Sequence, residues 1–165
     1  GEQVYFDLIN QATRYLYIMT PYLILDHEMM SALTHAAKRG VKVKLIMPHI
    51  PDKKYAFWLA HTYYEELLRA KVKIYEFTPG FVHAKVFVAD GKKAVVGSIN
   101  LDFRSFYLHY ESGVYVFSHP VIKEIESDCR ETIEISEEIT LRKCKKFPIG
   151  QKIAGRILRL VAPLM

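Results

Sequence analysis

Residues 81–105 read FVHAKVFVADGKKAVVGSINLDFRS and contain the most informative pattern in this chain. Two alternating apolar runs, AKVFVAD and KAVVGS, flank the dipeptide Asp90-Gly91. Such a dipeptide between alternating runs is a strong hairpin signal, because both residues tolerate the positive φ angles of a tight turn. We therefore predict two antiparallel strands that are joined at Asp90 and Gly91.

Four polar side chains recur near the open end of this hairpin with a spacing of two. His83 and Lys85 would leave the same face of the first strand, and Ser98 and Asn100 repeat that spacing on the return strand. The turn brings the second pair back beside the first, so we expect the four side chains to surround one anion.

This set of side chains suits a phosphoryl group. Lys85 would neutralise its charge, Ser98 and Asn100 would donate hydrogen bonds, and His83 would supply nucleophilic or proton-transfer chemistry. No metal ion is required in this scheme. Outside this set, Asp90 is most simply a turn residue.

Three further residues of this stretch have simple structural interpretations. We interpret Gly97 as an accommodation of the backbone. Asp102 and Arg104 are predicted to form an ion pair that stiffens their loop.

The remaining pattern alternates between helices and strands, which favours an α/β sheet covered on both faces. Asp26 is the expected N-cap of a helix that Gly40 ends. The predicted helices are 4–14, 27–39, 54–70, 121–136 and 151–164, and the further predicted strands are 15–20, 41–48, 72–77 and 112–117.

Composition limits the class of protein. Half of the 165 residues are hydrophobic, which suits one compact domain or one half of a larger two-part protein. The net charge of +5 favours an anionic partner without choosing among lipid, nucleic acid and phosphorylated small molecules. Cys129 and Cys144 have no paired spacing, so we expect reduced thiols.

The motif His83-x-Lys85-x4-Asp90-x6-Gly97-Ser98-x-Asn100 resembles the HKD motif of the phospholipase D superfamily in every position. The flanking stretches TPYLILD, AAKRGVKVKLIMP, KIYEFTPGFVHAK, NLDFRSF and RLVAPLM resemble the carboxy-terminal half of bacterial cardiolipin synthases, in order and across essentially the whole chain.

The resemblance implies an α/β phospholipase D fold, in which a mixed β-sheet lies between two layers of helices. Enzymes of this family place two HKD motifs across a pseudo-twofold interface, and this chain has one. Residues 1–165 are thus expected to be a single phospholipase D-like domain, the carboxy-terminal catalytic half of a longer chain. The implied reaction converts two phosphatidylglycerols into cardiolipin and glycerol through a phosphohistidine, with no metal or other cofactor.

The resemblance also implies roles for individual residues. His83, Lys85, Asp90 and Glu111 would form the catalytic set, with His83 as general acid and then general base. Glu111 would orient the imidazole of His83 and support its charged form. His83, Lys85, Ser98 and Asn100 would bind the substrate phosphate.

The expected partners are phosphatidylglycerol, a second HKD half of the same chain or a homodimer mate, and the membrane surface, with nucleic acid not favoured. We expect the full-length protein at the bacterial cell membrane. The longest apolar stretch, 16–25, is too short to span a bilayer, so this chain itself is expected to be soluble.

Three questions stay open at the level of sequence: the function, the role of four aromatic residues and the role of the carboxy-terminal stretch. A one-motif phosphodiesterase or nuclease that acts as a homodimer is the main alternative function, and a silent interaction module is the other. Phe81, Phe103, Phe106 and Tyr107 could line an acyl-chain groove or pack into the core. The stretch KIAGRILRLV could lie at a lipid interface or pack against a missing half.

Overall fold

The computed structural model of the chain describes residues 1–162. The predicted alternation of helices and strands is confirmed. The helices in this part of the chain are α1 (Glu2–Gln11), α2 (His27–Lys38), α3 (Lys54–Arg69), α4 (Val121–Glu134), α5 (Leu141–Lys145) and α6 (Ile149–Val161), with a π-helical turn at Arg104–Leu108.

The strands form one mixed sheet. They are β1 (Tyr15–Met19), β2 (Lys42–Pro48), β3 (Lys73–Phe77), β4 (Val86–Ala89), β5 (Lys93–Gly97), β6 (Gly113–Phe117) and β7 (Ser136–Ile139). The strand order is β6-β5-β4-β1-β2-β3-β7. Strands β1, β2 and β3 are parallel, and every other neighbouring pair is antiparallel.

Apolar side chains cover both faces of this sheet. On one face, residues of α1, α2 and α3 pack on the strands, with Tyr5, Leu33 and Tyr64 fully buried. On the other face, Ile122 and Cys129 of α4 pack against the strands. The sheet thus lies between two layers of helices, as the resemblance implied.

The boundaries of α2 follow from its terminal residues. The carboxylate of Asp26 accepts a hydrogen bond of 2.7 Å from the N–H of Met29, as an N-cap should. Gly40 follows the helix with φ at +99°, a backbone conformation that glycine adopts at little cost.

The predicted hairpin is confirmed. Asp90 and Gly91 have φ angles of +56° and +68°, and the N–H of Lys92 donates to the carbonyl of Ala89 at 3.0 Å. The turn therefore has the mirror-image geometry that suits the right-handed twist of paired strands.

The carboxy-terminal part differs from the prediction. The helix expected over 121–136 ends at Glu134, and residues Ser136–Ile139 form the edge strand β7 beside β3. The strand SEEI has weak local strand propensity, so pairing with β3 decides its conformation. The final helix begins two residues earlier than predicted, and the end of its predicted span lies outside the described residues.

Two further observations concern the chain as a whole. No helix among residues 1–162 has the length and apolar character that crossing a bilayer requires. Both cysteines are buried and free, and burial raises the pKa of the Cys129 thiol to about 12 and that of Cys144 to about 11. Their thiols are therefore protonated at neutral pH.

Candidate active site

The open end of the β4–β5 hairpin carries the predicted anion-binding residues. Strand β4 begins only at Val86, so His83 and Lys85 lie just before it rather than on it. The pairing nevertheless continues past the strand, because the N–H of Gly97 donates to the carbonyl of Lys85 at 3.2 Å. Lys85 therefore lies opposite Gly97, and Ser98 follows directly.

His83 and Lys85 are in direct contact. The Nζ atom of Lys85 lies 3.0 Å from Nδ1 and 3.0 Å from Nε2 of His83, and it donates a 2.6 Å hydrogen bond to the carbonyl of His83. His83 is exposed, whereas Lys85 is buried. The ring of Phe81 stacks on the imidazole at a centroid distance of 5.6 Å. The imidazole of His83 thus faces solvent, and the ammonium of Lys85 beside it is held in place by its hydrogen bond to the His83 carbonyl.

Burial and the nearby carboxylates shift the pKa of Lys85 in opposite directions. Burial lowers the pKa of the ammonium below the usual lysine value, while the charges of Glu111, Asp102 and Asp52 act to raise it. Burial is the larger effect. An incoming anion would restore part of the lost solvation, so Lys85 is prepared to bind negative charge.

A second group of polar side chains is connected through Ser105. The hydroxyl of Ser105 donates to Glu111 Oε1 at 2.9 Å and lies 3.2 Å from the amide nitrogen of Asn100. Ser98 donates its hydroxyl hydrogen to the other carboxylate oxygen of Glu111. Glu111 therefore ties Ser98 and, through Ser105, Asn100 into one network.

The expected contact between Glu111 and His83 is not among the hydrogen bonds of residues 1–162; both oxygens of this carboxylate accept from serines. The Oδ1 atom of Asn100 is buried and has no hydrogen-bond partner within the described chain. The structure therefore brings Glu111 to Ser98 directly and to Asn100 through Ser105, and it places the charge of Glu111 close enough to Lys85 to affect its pKa.

Gly97 allows this network to form. A Cβ atom at Gly97 would lie 2.2 Å from the carbonyl oxygen of Ser112 and 2.6 Å from Cα of Gly113, which pairs with Gly97 across β5 and β6. Because both contacts are with backbone, neither can give way easily. The absence of a side chain lets the N–H of Ser98 reach the carbonyl of Ser112 at 2.8 Å. The interpretation of Gly97 as a backbone accommodation is thus confirmed.

Asp90 lies at the other end of β4 from His83. Its carboxylate accepts hydrogen bonds of 2.8 to 2.9 Å from the backbone N–H groups of Thr13, Arg14 and Tyr15 and from the Thr13 hydroxyl. Partial burial acts to raise the pKa of Asp90, but these hydrogen bonds outweigh it and hold the pKa below the usual range. Asp90 thus fastens the hairpin turn to the segment before β1 and does not contact the other residues of the predicted catalytic set.

Comparison with known proteins identifies the family. The family model described as "Cardiolipin synthase, PLD-like domain" matches residues 5–133. The chain belongs to this phospholipase D-like family. The resemblance of the HKD motif to the phospholipase D superfamily is thereby confirmed.

Individual relatives are similar over nearly the whole chain. An uncharacterized protein of Streptococcus mutans serotype c is 56% identical over 165 residues, which are 100% of this chain and 36% of that protein. A cardiolipin synthase of Clostridium perfringens is 42% identical over 161 residues, which are 98% of this chain and 34% of that protein. The chain thus spans about a third of the length of these relatives.

A solved structure supports the fold. The phospholipase D family member Nuc from Salmonella typhimurium superposes with a TM-score of 0.73 at 18% identity, covering 84% of this chain and 90% of that one. At this identity the likeness concerns the fold alone.

Two features of this PLD-like site differ from the sequence analysis or were missed by it. The predicted Asp102–Arg104 ion pair is wrong: among the ion pairs of residues 1–162 none joins these two, and the buried carboxylate of Asp102 instead accepts a 2.7 Å hydrogen bond from the N–H of Ser105. Ser105 itself was not singled out. The spacing Asp-x-x-Ser, typical of an aspartate that caps a helical turn, was the available signal.

The aromatic residues near the site fall into two groups: the ring of Tyr107 contacts those of Phe103 and Phe106, and Phe81 lies against His83. Phe103 and Phe106 pack against the core, as one of the two interpretations predicted. Tyr107 is exposed, and its hydroxyl contacts Glu2 and Asp26 at 2.8 and 3.1 Å. Of the four aromatic residues considered, Phe81 alone lies against His83.

Proposed function

We propose that this chain supplies one of two half-sites of a cardiolipin synthase. The full-length protein would transfer a phosphatidyl group between two phosphatidylglycerols and release glycerol, without a metal ion or other cofactor. The contact between His83 and Lys85 carries this proposal, because it joins a proton-transfer group to a buried cation that can hold a phosphate.

The proposed reaction has two steps. The histidine of the second motif attacks phosphorus of the first phosphatidylglycerol, the P–O bond to glycerol breaks, and protonated His83 gives its proton to the departing oxygen. His83, now neutral, takes a proton from the hydroxyl group of the second phosphatidylglycerol. The oxygen of that hydroxyl attacks phosphorus, the P–N bond of the phosphohistidine breaks, and the histidine of the second motif is released. His83 is exposed, as an acid that meets a substrate held between two halves must be.

The other predicted site residues take supporting roles in this proposal. Ser98 and Asn100 would donate to the phosphate oxygens beside Lys85. We propose that Glu111 positions these two side chains through its contacts with Ser98 and Ser105. Asp90 would act by holding the hairpin in place.

The second half-site is proposed to cover β6. This strand is one edge of the sheet, and Val114, Tyr115 and Phe117 on it are exposed. An exposed apolar edge strand in an isolated domain invites pairing or aggregation, so a partner is expected there. The relatives are about three times as long as this chain, which leaves room for a second domain of the same size.

Reconstitution tests the proposal. The full-length protein in phosphatidylglycerol vesicles should produce cardiolipin and an equal amount of glycerol, measured by mass spectrometry, whereas a monomeric sample of this chain should produce neither. Cardiolipin formation by the monomeric chain would contradict the two-half-site mechanism. A full-length protein that binds phosphate but forms no lipid product would contradict the assigned reaction.

A homodimeric phosphodiesterase is the second candidate. The comparison with Nuc favours it. This chain covers 90% of the Nuc chain, so the Nuc chain is about as long as one such domain. Hydrolysis of bis(p-nitrophenyl) phosphate by this chain alone, rising with the square of its concentration at low concentrations, would support this alternative.

A further inference from the structure

Large apolar side chains of α6 face solvent along one stripe. Ile149, Ile153, Ile157 and Leu160 are exposed to 78%, 54%, 61% and 82%. At about 100° per residue these four positions lie within about 80° of one another, along a length of about 17 Å. The outer face of a helix in a globular protein usually carries polar residues. An exposed apolar stripe therefore indicates that this face contacts an apolar surface such as lipid or another protein.

The opposite side of α6 is firmly packed, which fixes the direction of the stripe. A Cβ atom at Gly155 would lie 2.5 Å from the carbonyl oxygen of Trp58, so α6 and α3 approach closely there. The amide nitrogen of Gln151 lies 2.7 Å from Nδ1 of His61, and the guanidinium of Arg159 lies 4.4 Å from the centroid of the Tyr63 ring. The apolar stripe is therefore held outward by the fold.

Positive charge accompanies the stripe. Residues 139–165 contain seven Lys and Arg and no Asp or Glu, whereas residues 1–138 contain 16 Lys and Arg against 18 Asp and Glu. On α6, Lys152 and Arg156 lie about 60° and 20° to one side of Ile149. The positive charge of the chain is thus concentrated in the segment that exposes the apolar stripe.

We infer that α6 docks the protein on the surface of an anionic phospholipid bilayer, with Ile149, Ile153, Ile157 and Leu160 inserted and Lys152 and Arg156 at the lipid phosphates. A helix with an apolar stripe beside a cationic one lies in this way in the interface between headgroups and acyl chains. Two of the seven cations pair with glutamates from elsewhere in the chain, Lys143 with Glu137 and Arg159 with Glu66, and the other five are in no ion pair within the described residues. Protein interfaces are depleted of lysine, so this charge pattern favours lipid over a protein neighbour.

The position of α6 relative to the site fits this role. Arg159 and Ala162, at the end of α6, line a cavity of about 230 Å³ together with Phe103, which lies three residues after Asn100. The carboxy-terminal end of α6 therefore lies beside the segment that follows Asn100. The inference rests on the proposed function only because that function has a membrane lipid as substrate. Binding of α6 to a bilayer does not itself require a catalytic reaction.

Vesicle cosedimentation of the 165-residue chain tests this inference. The chain should bind vesicles of phosphatidylglycerol and phosphatidylcholine mixed, and bind vesicles of phosphatidylcholine alone more weakly. Ile153→Asp combined with Ile157→Asp should weaken binding to the mixed vesicles at least about tenfold, since each change removes an inserted apolar side chain. Arg156→Gln should weaken it about fivefold and reduce its salt dependence.

Ile50→Asp combined with Ile135→Asp is the matched control, because these side chains are exposed to 54% and 55% outside α6. It should bind vesicles as the unaltered chain does, and all variants should keep the far-ultraviolet circular dichroism spectrum. Equal binding by the α6 variant and the control would overturn the inference. So would absence of vesicle binding together with a dimer that only the α6 variant breaks, because the stripe would then be a protein interface.

Sulfate binding at His83, followed by histidine NMR, separates this inference from the proposed function. It should be the same in the α6 variant and the control. If the chain binds vesicles but sulfate does not shift the NMR signal of His83, the docking role of α6 stands and the proposed role of His83 in phosphate binding is contradicted.

Discussion

The hydroxyl of Ser105 lies 2.9 Å from the carboxylate of Glu111 and 3.2 Å from the amide nitrogen of Asn100, so one buried serine connects two residues of the predicted site. Ser105 also lies 3.1 Å from the backbone N–H of Asn100. The geometry of the proposed anion-binding residues therefore depends on a side chain that need not touch the substrate.

We expect Ser105→Ala to leave Asn100 and Glu111 without their shared partner. The loss should reduce the free energy of unfolding by about 1–3 kcal/mol, because buried polar groups lose a hydrogen bond. It should also lower the activity of the full-length enzyme about tenfold or more through misplaced phosphate donors. Urea unfolding and initial rates measure the two effects.

Ser127→Ala is the control for this change, since Ser127 lies on the exposed surface of α4 and bonds Glu131 at 2.9 Å. It should change stability by less than about 0.5 kcal/mol. Unaltered activity in Ser105→Ala would remove Ser105 from the account of the site.

The backbone contact at Gly97 predicts a large effect of one methyl group. Gly97→Ala would place Cβ 2.2 Å from the carbonyl oxygen of Ser112, so we expect a loss of at least about 2 kcal/mol in the free energy of unfolding. Gly150→Ala is the control, because a Cβ atom there would meet no atom within 4 Å. Thermal unfolding of both variants compares them, and similar melting temperatures would contradict the close pairing of β5 and β6.

Asp90 is predicted to stabilise the fold in a pH-dependent way. Because hydrogen bonds hold its pKa below the usual value of 3.8, its contribution is present above that pH and is lost as the pH falls through the lowered pKa. Asp90→Asn should therefore cost about 1–3 kcal/mol at pH 7 and less at pH 2. Urea unfolding at the two pH values measures this, and an equal cost at both would contradict the role of the charge.

The pKa of Lys85 predicts how anion binding changes with pH. Burial lowers this pKa from the usual value of 10.5, so the ammonium loses its proton, and sulfate affinity falls, at a lower pH than for an exposed lysine. Lys85→Arg should move the fall in affinity to higher pH, because guanidinium stays charged. Lys85→Ala should bind sulfate about 10- to 100-fold more weakly at pH 7.

The control for Lys85→Ala is Lys123→Ala, an exposed lysine on α4. Isothermal calorimetry or histidine NMR follows binding, with sulfate as probe because its charge is constant over this pH range. A sulfate affinity that does not depend on residue 85 would show that the anion binds elsewhere.

The features of the fold that are encoded locally were predictable from the sequence. Asp90-Gly91 between two alternating runs predicts the hairpin because these residues tolerate positive φ, and the structure has both in that conformation. Asp26 predicts the start of α2 for a similarly local reason, the capping of free N–H groups. The spacing of two predicts that His83 and Lys85 share one face of a strand. Both residues instead precede β4, and the direct contact of their side chains was not part of the prediction.

Features that depend on distant partners were not predictable in this way. Strand β7 forms because β3 offers an unpaired edge, and the ion pair of Lys73 with Glu138 at 3.3 Å joins the two strands. No local pattern in SEEI indicates that partner. The contacts of Glu111 with Ser98 and Ser105 likewise depend on the close approach of β5 and β6 at Gly97.

The most direct test of the proposed mechanism is to locate the phosphoryl group on the full-length enzyme. Rapid quench with labelled phosphatidylglycerol, followed by peptide mapping, should find the label on a histidine outside residues 1–165. With a p-nitrophenyl phosphodiester, whose leaving group departs without protonation, His83→Ala should still form this phosphohistidine, although its turnover of phosphatidylglycerol should fall by about 10²–10⁴-fold. Label on His83 of the unaltered enzyme, or full activity in His83→Ala, would contradict the role of His83 as general acid.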